Sequence, residues 1–235
     1  MNQALKVCAL LPMKAHSSRV PHKNFRSFHG KPLFKWILDK LLSIETIDLV
    51  VINTDARRIL ADHGVETSER VLVRDRPEEI CGDTVSMNLV IGDDIRNIKA
   101  GQYLMTHTTN PLLSRSTIET SLSKFKEGLA CGEFDSLFSV NRFQSRFYTE
   151  KGLAINHDPD NLVPTQDLPV WFEENSCLYL FTQESFEQTQ ARIGRRPHLY
   201  EIPRLEAVDI DTPEDWDFAL AMAGYLRNRG REELL

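Results

Sequence analysis

Apolar positions fall into two spacings that alternate from the N-terminus, short unbroken runs and stripes at helical intervals. Val7 to Leu11 is a run of buried-strand character that stops at Pro12. Leu33, Trp36, Ile37, Leu41 and Ile44 then recur at three- and four-residue steps and predict an amphipathic helix over Leu33–Ser43, with Pro32 suited to its first turn. Asp48 to Asn53 (DLVVIN) reads as a strand parallel to the first, the helix being the crossover. Thr54 and Asp55 predict the cap of a helix over Ala56–His63, Gly64 ends it, and Val71–Val73 gives a third strand. The opening of the chain is β-α-β-α-β, the pattern of an α/β fold.

Arg74–Thr84 is polar and reads as a loop. Asp83 or Thr84 would cap the helix that carries Met87, Val90, Ile91 and Ile95 on one face. Strands follow at Gln102–Met105 and Ser136–Val140. Between them lie a polar extended segment, Thr106–Pro111, and a helix, Ser116–Phe125, with Ser114 or Ser116 as its cap. Asn141–Trp171 breaks the alternation, holding Pro159, Pro164 and Pro169, and is expected to project from the core. Irregular stretches of that length inside a compact domain are usually functional. The remainder predicts a strand at Cys177–Phe181, a helix at Gln183–Gln190, an edge strand at His198–Pro203, a last strand at Ala207–Ile210 and a last helix at Thr212–Leu226. No repeats appear, and 235 residues suit a single domain whose core needs no disulfides.

Composition narrows the function. A formal net charge of -6 excludes a broad nucleic-acid surface. Cys8, Cys81, Cys131 and Cys177 are widely spaced with no CxxC, as expected for reduced thiols in a cytoplasmic protein. The chain starts without a signal-peptide pattern, and no stretch approaches the roughly 20 apolar residues of a membrane span, so no membrane partner is expected.

Candidate chemistry sits at two poles. The first is Leu10–Asn24 (LLPMKAHSSRVPHKN), a polar loop after the first strand carrying Lys14, Ser17, Ser18, Arg19, Lys23 and Asn24. Cationic side chains, hydroxyls and free N–H groups at the carboxyl end of a buried strand can hold phosphates. The loop is neither GxxxxGK[ST] nor GxGxxG, which argues against a dinucleotide dehydrogenase. A solvated basic loop is the structural alternative. The second pole is Asp209 and Asp211, two apart, which would face one way on extended backbone with Ile210 facing the other. Such a pair can hold Mg²⁺ together with phosphate and water. Equally, Asp211 or Thr212 can cap the last helix, with Glu214 and Asp215 in its first turn. No cysteine or serine is framed by a base, so direct phosphoryl or nucleotidyl transfer fits better than a covalent intermediate. His16 and His22 read as exposed loop histidines, Trp36 and Trp216 as core or interface, and Arg195-Arg196 as a solvated turn.

These blocks together resemble the acylneuraminate cytidylyltransferases, the CMP-sialic acid synthetases. Leu10–Leu33 is similar to that family's P-A-R, S-K-x-[IL]-P-x-K-N and G-K-P-L signature. Asn53-Thr54-Asp55 resembles its S-T-D, Arg76-Pro77-Glu78 through Gly82-Asp83-Thr84 its R-P and D-[ST], Asn175 to Tyr179 its N-G-A-x-Y, and Glu206 to Thr212 its E-x-x-D-I-D-T. The resemblance implies a Rossmann-like α/β nucleotidyltransferase fold with a mixed, mostly parallel sheet, and a homodimer whose dimerisation arm is the Asn141–Trp171 segment. It implies Mg²⁺-dependent transfer of CMP from CTP to the anomeric hydroxyl of a sialic-acid-like 2-keto-3-deoxy sugar acid, with release of pyrophosphate. Carried over position by position, Lys23 would meet the triphosphate. Lys14, Ser17, Arg19 and Asn24 would belong to the nucleotide loop, and Arg76, Asp83 and Thr84 would lie near cytosine and ribose. Asp209 and Asp211 would hold the metal, with Asp211 helping to activate the attacking hydroxyl. His107, Asn175 and Tyr179 would border the sugar.

The departures cluster on the sugar side. The family's first-loop arginine is Lys14, which keeps the charge without the bidentate fork. Its Q-P-[TS]-[SA]-P-[LFI]-R block is His107 to Leu113 here, with histidine for glutamine, leucine for arginine, and Arg115 two places on. Its arm arginine-glutamine pair is Thr165-Gln166, and N-G-A is Asn175-Ser176-Cys177. The expected acceptor is therefore a relative of N-acetylneuraminate rather than that acid itself. A nucleotidyltransferase using another sugar or a sugar phosphate, and a non-catalytic nucleotide-binding descendant, are the alternatives.

Overall fold

The computed structural model describes residues 5–231. Its elements are β1 (Leu5–Leu10), a two-stranded hairpin of β2 (Ser27–Phe28) and β3 (Lys31–Pro32), α1 (Leu33–Ser43), β4 (Leu49–Thr54), α2 (Arg57–Asp62), β5 (Val71–Asp75), α3 (Met87–Asn97), β6 (Ala100–Thr106), α4 (Arg115–Cys131), β7 (Ser136–Phe143), β8 (Trp171–Phe181), α5 (Gln183–Thr189), β9 (Pro197–Glu201) and α6 (Pro213–Asn228). Seven strands form one sheet in the order β5-β4-β1-β6-β8-β7-β9. Every pairing is parallel except the two made by β8, which runs against its neighbours β6 and β7. This is the mixed, mostly parallel sheet that the resemblance implies; the alternation alone predicts its parallel half.

The β1 pleat shows why its sequence is a continuous apolar run. Val7, Ala9 and Leu11 enter one hydrophobic cluster with Phe34, Ile37 and Leu41 of α1 and Phe125 of α4. Cys8 and Leu10 enter another with Ile91 and Ile95 of α3 and Phe186 of α5. Both faces of a central parallel strand are covered, so neither can be polar. A third cluster packs Trp36, Phe28 and Val20 against Ile210, Trp216 and Ala219, and so fixes α6 and the segment before it to the first loop. The chain builds from β1 outward through β4 to β5, then returns to the other side of β1 with β6. Loops leaving β1 and β6 therefore diverge, and the carboxyl ends of these strands border a crevice.

Local signals were less decisive than the periodicity. Neither Asp83 nor Thr84 caps α3; Ser86 does, its hydroxyl accepting from the Asn88 N–H. Asp55 does not cap α2, because its carboxylate accepts the Ala15 N–H at 2.7 Å and ties down the first loop instead. Ala207–Ile210 is extended but joins no ladder. Its neighbour is the irregular segment after β6, which it meets through Ile210 N–H to the Thr109 carbonyl at 2.9 Å. β7 and β8 run further than predicted, pairing through Phe143 and Trp171. Between them, residues 144–170 make only a Tyr148–Ala154 bridge and a short turn at Thr165–Asp167, and leave Tyr148, Leu153, Ile155 and Leu162 exposed.

Candidate active site

The first loop is held at both ends. Hydrogen bonds from Leu11 N–H to Val51 and from Met13 N–H to Asn53 carry the β1 ladder past Pro12, so the free loop starts at Lys14. Asn24, buried at its far end, donates to the Lys14 carbonyl at 2.8 Å and accepts from Thr108 Oγ1 at 2.6 Å. One side chain thus closes the loop and fastens it to the segment after β6. The loop, the polar stretch after β5, the segment after β6 and the residues before α6 enclose a cleft of about 400 Å³. Lys14, Ser17, Arg19, Lys23, Asn24, Arg76, Asp83, His107, Asp209 and Asp211 all line it. Thr84, Asn175 and Tyr179 do not; Thr84 lies exposed beside Asp83.

The cap of α6 decides the reading of the carboxylate pair. Thr212 accepts the Asp215 N–H, while Asp215 accepts the Thr212 N–H at 2.8 Å, a complete capping box. Neither the Asp209 nor the Asp211 carboxylate caps the helix; Asp211 gives it only a backbone N–H, to Asp215 at 3.0 Å. Val208 and Ile210 are buried, and the two aspartates turn to the cleft between and beyond them. Lys23 Nζ donates to the Ile210 carbonyl at 2.6 Å and pairs with Asp211 at 3.2 Å, and Arg19 reaches Asp211 at 3.1 Å. Asp209 has no such cation. One of its carboxylate oxygens is buried without a hydrogen-bond partner, and burial, reinforced by Asp211, raises its carboxyl above the usual range. A buried, under-satisfied carboxylate beside a second one fits a hard divalent cation. Among the described residues no group of three or more His, Cys, Asp or Glu could hold a metal, so the rest of the coordination would come from ligand phosphate and water.

On the β5 side, Arg76 is fixed rather than free. It donates to the carbonyls of Asn53 and Met13 and to the Asn53 side chain at 3.0 Å. Asn53 donates in turn to Asp94, which Arg74 also contacts. Burial pushes the Asp94 carboxyl up to about 6 against the pull of these partners. Asp83, across the cleft mouth, pairs with Lys14, whose hydrogen bond and charge lower its carboxyl.

The substituted positions are informative. Leu113 lies fully buried in the core, and Arg115 pairs with Glu119 along the exposed face of α4 and does not line the cleft, so it takes no place there. His107 does line the cleft. Burial, with Arg192 and Lys23 nearby, lowers its imidazole to about 3, so it is neutral at physiological pH. Lys40, buried at the end of α1, donates to the carbonyls of Pro111 and Leu113 at 2.8 Å each and supports this segment from below.

The far wall comes from β8. Phe138 of β7 faces Tyr179, but Val140 faces Glu174, so β8 bulges through Asn175–Leu178. Asn175 pins the bulge by accepting from Ser139 Oγ at 2.6 Å and donating to Asn141. Ser176, at its crest, has a positive φ of 59°, which costs roughly 1 kcal/mol for a residue other than glycine, and lines the cleft. Tyr179 lies beneath, its hydroxyl on Glu174, and Arg192 stacks over its ring at 3.8 Å. Arg192 and Val85 are cleft residues with no distinguishing sequence motif, while Ser176, Met87 and Val90 stand in patterns that did not mark them for the cleft; Arg192 is overshadowed by Arg195-Arg196, whose N–H groups bond Asp135 at a surface turn.

Comparison with known proteins gives the family and the fold. A family model described as Cytidylyltransferase matches residues 8–224. The pseudaminic acid cytidylyltransferase of Campylobacter jejuni is 24% identical over 92% of this chain and 95% of its own length. The CMP-N,N'-diacetyllegionaminic acid synthase of Legionella pneumophila is 25% identical over 90% of this chain and 94% of its own. A solved CMP:2-keto-3-deoxy-manno-octonic acid synthetase in complex with CTP shares the fold with a TM-score of 0.64, at 15% identity, covering 94% of this chain and 99% of that one.

Proposed function

The chain belongs to the cytidylyltransferase family, and from that premise we propose that it transfers CMP from CTP to the anomeric hydroxyl of a sialic-acid-like 2-keto-3-deoxy sugar acid, releasing pyrophosphate. The observation that carries this reading is the convergence of Lys14, Arg19 and Lys23 on a cleft that also holds Asp209 and Asp211, with neither aspartate spent on capping α6. The names of the relatives, which act on pseudaminic and legionaminic acids, support the acceptor class.

In this reading the first loop takes the triphosphate. Lys23 is catalytic, offsetting the charge that builds on the phosphates as pyrophosphate leaves, with Lys14, Ser17 and Arg19 as further donors. Asn24 keeps the loop closed around them. Arg76 and Asp83 border the nucleoside, and Thr84 acts only through the loop that carries Asp83. Asp209 and Asp211 would hold Mg²⁺, which when bound supplies positive charge to the phosphate oxygens. Asp211 also orients and helps activate the anomeric hydroxyl, whose oxygen loses its proton by way of that carboxylate to solvent and forms the new bond to the α-phosphorus as the bond to the pyrophosphate oxygen breaks. Neutral His107 borders the acceptor as a hydrogen-bonding group without charge. Asn175 and Tyr179 shape that side from behind, through the bulge and the Arg192 stack.

The exposed apolar side chains of the 144–170 segment, with Trp171 and Phe172 beside it, are proposed to pack on a second copy, giving a homodimer. No described helix is long and apolar enough to cross a membrane. The reduced thiols favour a cytoplasmic location. His107 and Leu113 at substituted positions favour an acceptor other than N-acetylneuraminate itself.

The test is pyrophosphate release from CTP with Mg²⁺ across a panel of 2-keto-3-deoxy sugar acids, with Asp211→Ala as control. Metal-dependent release with one or a few acids, lost in the variant, is expected. Silence across the panel with CTP still bound would sink the reading, and N-acetylneuraminate turning over as well as any other acid would sink its acceptor clause.

A further inference from the structure

The acceptor proposed above carries a carboxylate on the carbon that bears the attacking hydroxyl. Its anion must therefore lie close to the phosphates, and the cleft must offer it a cation not already engaged by them. Lys23 and Arg19 are on Asp211, Lys14 is on Asp83, and Arg76 is fastened to Asn53 and Met13. Arg192 differs. Its guanidinium carbon lies 3.8 Å from the centroid of the Tyr179 ring, and among the described residues the guanidinium has one polar partner, an ion pair with Glu174 at 3.4 Å that sits beside this aromatic face. That partner is already engaged by the Tyr179 hydroxyl. A planar fork held by stacking, with its remaining N–H groups open, is a receptor for a carboxylate.

Its location agrees. Arg192 lines the cleft on the β8 wall beside Ser176, opposite the first loop. His107 lines the same cleft as Arg192 and Lys23. A sugar acid bridging Arg192 and the Lys23–Asp211 pair would thus pass His107. Ser176 adds a hydroxyl at the crest of the bulge, 3.2 Å from the Tyr179 hydroxyl. Serine there keeps a backbone conformation that glycine would adopt without strain, which fits a side chain retained for what it contacts.

Resting on the acceptor class proposed above, we infer that Arg192, with Ser176 beside it, is the subsite for the carboxylate of the acceptor, and that it determines specificity for an acid over a neutral sugar. The experiment compares wild type, Arg192→Ala, Arg192→Lys and Ser176→Gly, using the acid that the wild type turns over and its carboxamide. Arg192→Ala is expected to raise the acceptor KM at least about tenfold, the size of a lost charge-assisted pair, with the CTP KM within about twofold of wild type. Its preference for acid over carboxamide should collapse, and lysine should restore it only in part. Ser176→Gly should shift the acceptor KM and leave that of CTP. An unchanged acceptor KM in Arg192→Ala, or a rise in the CTP KM instead, would overturn the subsite while leaving the cytidylyltransferase reading intact. A wild type that turns over no acid would overturn both. The Tm of each variant is measured alongside, so one that merely unfolds is recognised before its KM values are read.

Discussion

At the residue scale, the site is set by which polar groups are already spent. Asp209 is the clearest case of one that is not. Its raised carboxyl means that the folded state disfavours the charge: the stability this group contributes is complete below its unfolded pKa and is lost as pH rises through the folded one. Asp209→Asn should therefore raise the metal-free Tm at pH 8. It should also abolish the further rise that Mg²⁺ with CTP gives the wild type, and lower kcat by at least about 100-fold. Differential scanning fluorimetry with and without Mg²⁺ checks the first two; equal metal-induced shifts in both proteins would refute the assignment. His107 runs the other way in pH. Its imidazole is lowered, so the unfolded chain binds the proton first, and stability is lost as pH falls from about 6.5 toward about 3. His107→Gln should flatten that limb by at most about 2 kcal/mol between pH 7 and 5, measured by urea unfolding at both. The sequence made Lys23, Asp209 and Asp211 legible as cleft residues because each stands in a short motif. Arg192 was not legible, since the role proposed for it depends on a ring thirteen positions earlier that only the fold brings beneath it.

At the element scale, the cleft depends on short segments that carry no regular structure of their own. The stretch after β6 is held from below by Lys40, whose ammonium burial lowers to about 7. Lys40→Met would leave two buried carbonyls without donors. It should cost about 2–4 kcal/mol in chemical denaturation and lower kcat more than it alters the CTP KM. With the Lys40 ammonium lowered, the unfolded chain holds its proton over a window from about 7 to the ordinary lysine range. This group's contribution therefore rises with pH there, and the variant should lose that slope. Elements themselves were readable where a period lasted several turns, as in α1, whose bounds the apolar stripe gives to the residue. Caps were read less well. Asp55 and Asp83 have the right chemistry for an N-cap, but each is taken by a distant partner, Ala15 or Lys14, that local pattern cannot display. Ala207–Ile210 has the alternation of a strand without a strand beside it, because alternation reports one buried face and not the presence of a ladder.

At the scale of the whole molecule, the sheet order sets apart the two sides of the cleft proposed for nucleotide and acceptor. The β-α-β-α-β opening announces the parallel half of the sheet, whereas the reversal at β8 and the long pairing of β7 with β8 are contacts between segments separated by the irregular excursion, and no periodicity encodes them. That excursion leads to the prediction that belongs here. Leu153→Asp with Leu162→Asp should convert the proposed dimer to monomer by light scattering at micromolar concentration. CTP binding should be retained, because the residues assigned to the nucleotide lie elsewhere. A dimer that survives both charges would place the interface on another surface.

The bulge in β8 also has a consequence for how such a protein can diversify. Four residues of one strand, Asn175–Leu178, run alongside one of the next, Ser139, and the extra length is taken up on the side of the cleft proposed for the acceptor. Insertions, deletions or exchanges within that stretch can be absorbed locally, while the nucleotide-handling half, supplied by the opening of the chain, stays as it is. The fold thus behaves as a fixed chassis with one exchangeable cassette. Residues 171–192, grafted between relatives, are the piece by which one sugar acid would be traded for another.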